Sequence, residues 1–265
     1  METLDKEKQK SEPMNVLHVF GRMVRGGAEM RTLELMRHID KKKCRFYFCA
    51  LSGLPGELDE EICSLGGEVF HIKFNPLFFW RLRKVCHFYH IDVVHSHVHY
   101  FSGLILYFGK LLKVPVRVAH FRSMQDGREK SIRRRMQNRL MKFLINRHAT
   151  NILAVSEGAM VSAWGEDWKA DTRCRVIYNG LDIAGFGGIA DCEGVRMDLG
   201  LPRDARLFIH VGRMTRAKNH VRLLSIFKNI SDCDADAFLI LVGRRSEPIN
   251  TIIQKLVEEF KISQK

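Results

Sequence analysis

No apolar run in these 265 residues approaches the roughly 18 that a membrane-spanning helix needs; FSGLILYFG, starting at Phe101, stops far short. The seven cysteines (Cys44, Cys49, Cys63, Cys86, Cys174, Cys192 and Cys233) are odd in number, scattered, and without a C-x-x-C pair. Neither a disulfide framework nor a thiolate zinc site is therefore expected, and a reducing cytosol fits. The opening METLDKEKQKSEP has no apolar stretch, so residues 1–13 are expected to be disordered, with no secretory signal. Acidic residues are scarce: 30 Asp and Glu face 43 Lys and Arg, a formal net charge of +13. Such a balance favours negative partners, whether nucleic acid, phosphorylated metabolites or an anionic membrane surface. Without zinc-finger spacing or an aromatic-rich RNP sequence, nucleic acid is not expected among them.

What is present is an alternation of short apolar runs with stretches of helical spacing. NVLHVF (15–20), FYFCAL (46–51), EVFHI (68–72), DVVHSH (92–97), VRVAHF (116–121), NILAVS (151–156) and RCRVIY (173–178) have the character of strands. Between them, segments such as Ala28 to Ile39 and Gly103 to Leu112 repeat apolar residues every three or four. This is the βαβ rhythm of a doubly wound parallel sheet. After glycine-rich NGLDIAGFGGIADCEG the rhythm restarts with RLFIHVG (206–212), a helix from about Val221, and AFLILVG (237–243). The expected organisation is an α/β domain over 14–178, a linker over 179–203, and over 204–265 the opening of a second α/β domain, too short for a full core.

Several segments could carry chemistry. Gly26 and Gly27 stand between the first strand and first helix, where glycine permits a tight turn and close approach of backbone N–H groups to an oxyanion. They do not form G-x-G-x-x-G, so a dinucleotide fingerprint is not indicated. His95, His97 and His99 alternate onto one side if their strand continues that far. Three histidines can hold a metal, but no matching carboxylate or second histidine cluster ends a later strand, so hydrogen-bonding histidines are expected. His120 ends another apolar run, at the sheet edge where α/β folds bind ligands, beside Arg122 in FRSMQDGR. In 128–147, Ile132, Met136, Leu140 and Phe143 or Leu144 share a helical face amid Arg133, Arg134, Arg135, Arg139 and Lys142. That stripe suits either core packing with a solvated basic face or peripheral contact with anionic lipid. Strand 207–211 reads as buried and opens onto Gly212, Arg213, Arg216, Lys218 and Asn219, which suggests an anionic ligand.

VGRMTRAKNH, with RGGAE (25–29), DVVHSH (92–97), VSE (155–157) and VIYNGLD (176–182), makes the chain resemble the family 4 retaining glycosyltransferases of the two-domain GT-B fold, from about Asn15 onward. HYFSG, AHFRSMQDG and ILAVSEGAMVSAWG are most similar to bacterial exopolysaccharide and capsule enzymes. The resemblance implies a complete N-terminal Rossmann-like domain for the acceptor and the beginning of a second for the donor. It further implies that Arg213 and Lys218, with Gly212 and Asn219, hold the diphosphate of a nucleotide sugar, UDP being the expected nucleotide. Gly26 and Gly27 would form the glycine loop and His120 the catalytic histidine near the transferred sugar. His95, His97, Arg122 and Asn179 would line the cleft, with Asn179 and Gly180 near a hinge. No metal or other cofactor is expected, because fixed cations can stabilise the leaving diphosphate. The acceptor would be a growing glycan or polyprenyl-linked saccharide, and the location cytoplasmic, peripheral to the inner membrane face. The family's paired-glutamate segment has no counterpart before Lys265, so the donor side is expected to be cut short. A sugar-nucleotide 2-epimerase of the same fold and a non-catalytic glycan-binding module are the alternatives.

Overall fold

The computed structural model describes residues 12–124, 131–184, 187–188 and 191–263. Most of the start expected to be disordered, part of the linker, and 128–130 of the basic segment lie outside these residues. The chain divides into two compact units, Met1–Ile183 and Ala184–Lys265.

In the first unit seven strands, β1 (Met14–Phe20), β2 (Cys44–Ala50), β3 (Glu68–His71), β4 (Val93–Ser96), β5 (Val116–Phe121), β6 (Asn151–Ala154) and β7 (Cys174–Val176), coincide with the seven apolar runs. They form one parallel sheet in the order β3-β2-β1-β4-β5-β6-β7. The connecting helices are α1 (Gly27–His38), α2 (Asp59–Ser64), α3 (Phe78–Phe88), α4 (Ser102–Leu111), α5 (Ile132–His148) and α6 (Glu157–Trp164). Since alternate side chains point to opposite faces, the strands need apolar residues at both parities, and each face has its own core. Leu17, Val19, Val94, Ala119, Phe121 and Ile152 face one core with residues of α3 to α6. Val16, Phe20, Phe46, Phe48, Val93 and Val118 face the other with Leu33 and Met36 of α1 and Ile62 of α2. All seven cysteines are free thiols. Burial pushes those of Cys49 and Cys86 up to about 12, so they behave as apolar packing groups.

Helix α5 begins where the Ser131 hydroxyl accepts the Arg134 N–H at 3.2 Å. Its buried side is Met141 and Ile145, pressed against α4. A Cβ on Gly103 of α4 would come within 2.2 Å of the Met141 carbonyl oxygen, so only glycine permits this approach. Ile132, Met136, Leu140 and Phe143 are instead exposed. The core-packed alternative for that stripe is therefore corrected: the residues 141 and 145, on the opposite side, make the contact.

The second unit holds α7 (Cys192–Asp198), β8 (Arg206–Val211), α8 (His220–Cys233), β9 (Ala237–Val242) and α9 (Ile249–Glu259). Strands β8 and β9 pair in parallel as a two-stranded sheet. Met214, Leu224, Phe227, Ala237, Ile249, Ile253 and Ile262 form its core. On the other face Ile209 is 66% and Val211 67% exposed. The expectation of a buried strand at 207–211 thus holds for one face only, because no element among the described residues covers the other.

Two outcomes follow from this packing. Amide hydrogen exchange will be faster in β8 and β9 than in β1, β4 and β5, because a two-stranded sheet with one covered face opens more cheaply; equal protection would contradict this. Gly103→Ala will lower the stability of the first unit by about 1–3 kcal/mol in denaturant titration, as the α4–α5 contact is forced apart.

Candidate functional site

The strand order turns between β1 and β4: successive strands run one way from β1 through β3 and the other from β4 through β7. At such a switch point the connections leave in opposite directions and open a crevice at the carboxyl edge. Three histidines meet there on the face that α1 covers. His18 in β1 is the register partner of His95 in β4, which pairs with Val118 of β5, two residues before His120. Their parity matches that of Val16, Val93 and Val118, so all three point the same way. His97 follows directly after β4 and stacks on Phe20, ring centroids 4.3 Å apart.

The rings are hydrogen-bonded to one another. His18 Nδ1 lies 3.1 Å from His97 Nε2, and His95 Nε2 lies 3.0 Å from His120 Nδ1. Arg122, just beyond β5, donates from Nε to His97 Nδ1 at 3.4 Å, and its terminal nitrogens donate to Asn179 Oδ1 at 3.0 Å and Thr32 Oγ1 at 3.2 Å. A guanidinium only donates, so His97 Nδ1 must accept, and its proton sits on Nε2. That proton points to His18 Nδ1, which leaves the His18 proton on its own Nε2. The Nε2 atoms of His18 and His120 are buried without a hydrogen-bond partner among the described residues.

Desolvation sets the charge of this group. Burial, with Arg122 nearby, pushes His95 down to about 3, and burial followed by Arg122 and His95 pushes His120 down to about 2. His18 and His97 are held well below the usual imidazole range, chiefly by the same burial. Arg122 itself falls to about 10 through desolvation, partly offset by Glu29. The site therefore offers neutral imidazoles and one guanidinium.

A cavity of about 700 Å³ opens over the array. His18, His95, His120 and Arg122 form its floor, α1 contributes Thr32 and His38, and 177–182 passes along it. Arg31 donates to the Gly180 carbonyl at 3.1 Å, and His38 Nε2 contacts Asp182 Oδ2 at 3.3 Å. With the Arg122–Asn179 bond, these contacts tie the segment after β7 to the first unit, whose boundary comes at Ile183 rather than Tyr178. Neutral imidazoles beside Arg122 and Arg31, with the carboxylates of Glu34 and Asp182, give a cavity of this size the mixed donors and acceptors that suit hydroxyl-rich ligands.

The remaining expected residues lie elsewhere. His99 does not join the array, because β4 ends at Ser96 and the chain turns, with His99 at φ +52° and its ring against Phe121. Gly26 caps α1 at φ −115°, and the Glu29 carboxylate lies against it. His18, His95 and His97 offer nitrogens within 4.8 Å of one another, as do ligand atoms of Glu34, His38 and Asp182; either trio could hold a metal by spacing alone. In the histidine trio the tautomers that Arg122 imposes commit His97 Nε2 to a proton. In the second unit, the Lys218 stem lies over Gly212, and Arg213 and Lys218 are both exposed. Asn219, in the left-handed region at φ 49°, precedes α8, whose first turn has no side-chain cap and no acidic residue. N–H groups at a helix start with a cation just ahead of them give a local field that favours negative charge.

The family model described as Glycosyltransferase Family 4 matches residues 25–184, which includes all of the array except His18. The chain belongs to this family. The capsular polysaccharide biosynthesis glycosyltransferase CapH of Staphylococcus aureus is 33% identical over 217 residues, covering 81% of this chain and 58% of CapH. EpsF of Bacillus subtilis strain 168 is 32% identical over 242 residues, covering 88% of this chain and 62% of EpsF. The chain thus spans about three fifths of the length of these relatives. Among solved structures, HepE of Anabaena in complex with UDP-glucose superimposes with a TM-score of 0.76 at 17% identity, over 94% of this chain and 67% of HepE. A glycosyltransferase from Rickettsia africae gives 0.72 at 17%, over 96% and 67%. These likenesses support the α/β fold of the GT-B class.

In this family 4 chain His18 was not among the residues expected from sequence. Its signal was a lone imidazole within the apolar run NVLHVF, at a depth that only the β1–β4 register reveals. Thr32, Arg31 and Asp182 escaped for a similar reason, since their roles depend on how α1 meets 177–182.

The buried array makes stability depend on pH. Unfolded, each histidine protonates near 6.5; folded, His95 and His120 stay neutral to about 3 and about 2. Below pH 6.5 the unfolded chain binds more protons, so stability is full above that value and is lost as pH falls, by up to about 1.4 kcal/mol per pH unit for each histidine. Denaturant titrations from pH 8 to 5 will show this decline, and His120→Gln will make it shallower. A decline that His120→Gln leaves unchanged would mean that His120 is not held neutral.

Proposed function

We propose that the protein is a retaining glycosyltransferase that moves a sugar from a nucleotide-diphosphate donor, with UDP as the nucleotide, to a growing glycan or polyprenyl-linked saccharide in capsule or exopolysaccharide synthesis. Family membership supports the reaction class, and CapH, named for capsular polysaccharide biosynthesis, supports the setting. The observation that supports the donor reading is the loop from Gly212 to His220, where Arg213 follows β8 and the Lys218 stem lies over Gly212, ahead of the uncapped start of α8. Two fixed cations and helix N–H groups match a diphosphate and stabilise the charge that grows as the glycosidic C–O bond breaks. No metal is needed for that role. UDP-glucose in the HepE complex supports the nucleotide.

In the first unit, His120 and His18 bind sugar hydroxyls through their free Nε2 atoms, while Arg122, through His97, fixes the tautomer of His18. His95 and His97 position these rings, Asn179 holds Arg122, and Gly26 and Gly27 form the loop that admits the acceptor. The protein acts in the cytoplasm, at the inner membrane face when the acceptor is lipid-linked.

Two measurements test this. UDP affinity by titration calorimetry will drop about ten- to a hundredfold in Arg213→Ala and in Lys218→Ala, the scale of a lost charge-assisted hydrogen bond, and hardly change in His120→Ala. Label from a UDP-sugar will pass to a polyprenyl-linked acceptor with the anomeric configuration kept. Epimer formed without acceptor would replace this reading with the 2-epimerase. Acceptor binding with no UDP affinity would replace it with a glycan-binding module.

A further inference from the structure

Helix α5 has two apolar sides, and the core uses one. Met141 and Ile145 are buried against α4. On the opposite side Ile132, Met136, Leu140 and Phe143 are 71%, 66%, 56% and 62% exposed. Separations of four, four and three residues line them into a single stripe at 3.6 residues per turn. A surface helix ordinarily carries polar residues there. Cations border the stripe on both sides: by the same helical geometry Arg135 and Arg139 lie along one edge, Arg133 and Arg147 along the other, while Lys142 turns to the Trp164 carbonyl, to which it donates at 3.0 Å. No acidic residue occurs between Ile132 and His148. A cavity of about 590 Å³ runs along the first edge, with Tyr100, Ile132 and Met136 beside Arg135, Arg139 and Lys142.

The charge pattern selects the occupant. A second copy laid on this face would set one cationic border against another, and like charges at contact distance repel. A bilayer of anionic lipid supplies acyl chains for the stripe and phosphates for both borders. We propose that α5 is a membrane-docking helix that lies flat on an anionic bilayer, its exposed stripe at the acyl boundary and its cationic borders at the headgroup phosphates. This deepens the proposed function, and rests on it only for the view that the acceptor is lipid-linked.

The full chain is tested by flotation with vesicles of phosphatidylglycerol and phosphatidylethanolamine, and with phosphatidylcholine vesicles, in the absence of nucleotide sugar. Binding to the first and not the second, weakening with salt, is expected. Met136→Ser with Phe143→Ser will lower partitioning about tenfold or more, as several buried methylenes are lost, and Arg135→Gln with Arg139→Gln will lower it and flatten its salt dependence. Thermal melts of both variants should match the parent, because the altered side chains are exposed. No vesicle binding, or binding that both variants retain, overturns the proposal. So does concentration-dependent self-association abolished by Met136→Ser with Phe143→Ser, which would assign the stripe to a second copy. Because no nucleotide sugar is present, failure here leaves the donor reading untouched, and failure of sugar transfer leaves this one untouched.

Discussion

The first unit depends on one constraint: four imidazoles and a guanidinium are taken out of water together at the carboxyl edge of β1, β4 and β5. Any one of them buried alone would lose its water contacts with nothing in return. They are tolerable as a group because each ring shares a hydrogen bond with one neighbour and all the rings stay neutral. Arg122 keeps its charge and is met by acceptors on three separate segments, His97 after β4, Thr32 on α1 and Asn179 after β7. The polar edge is thereby coupled to the packing of α1 and to the exit of the chain from the sheet. Where the array stands, the second core is interrupted; on either side of it the apolar layer resumes.

The two units handle sheet faces differently, with consequences for the chemistry each can support. In the first, both faces are covered, so the strands beneath the histidines are held from two sides, and a ring displaced by an ångström would lose its partner. In the second, one face of β8 and β9 is open, and the cationic loop after β8 rests on α8, Met214 and the left-handed Asn219. A site made of fixed cations and backbone N–H groups tolerates this better than a relay of aligned rings does, because Coulomb attraction falls off slowly with distance while a hydrogen bond does not.

Strand positions were legible because apolar runs bounded by polar turns leave few alternatives, and His95, His97, His120 and Arg122 could be picked out because they close such runs. His99 shows the limit of that reasoning: alternation holds only while the chain stays extended, and it leaves the strand at Ser96. His18 shows another, since an imidazole inside a strand says nothing until register sets it opposite His95. The orientation of α5 was ambiguous for a physical reason. The helix has apolar residues at two opposite phases, and Gly103, by admitting the Met141 backbone, lets the phase of Met141 and Ile145 turn inward. The open face of β8 was hidden because continuous apolar sequence records an ability to be buried, and burial itself needs a neighbour.

The placement of α5 bears on how a lipid-linked acceptor would reach the histidines. A helix that follows a parallel strand starts at the carboxyl edge of the sheet and runs back toward the amino edge. The first turns of α5 therefore lie on the same edge as the array, and a cavity of about 570 Å³ is lined jointly by His97 of the array and by Arg134, Gln137 and Met141 of the helix. Its other walls include Ser52, Phe74 and Phe101, a mixture of hydroxyl and ring surfaces of the kind that saccharides contact. If the stripe rests on the bilayer, this cavity lies beside the docked face, and a saccharide on a membrane carrier has a short path to the imidazoles. Docking and sugar recognition would then be properties of one rigid packing unit, set by the same α4–α5 contact, with no need for a segment that shuttles between membrane and site.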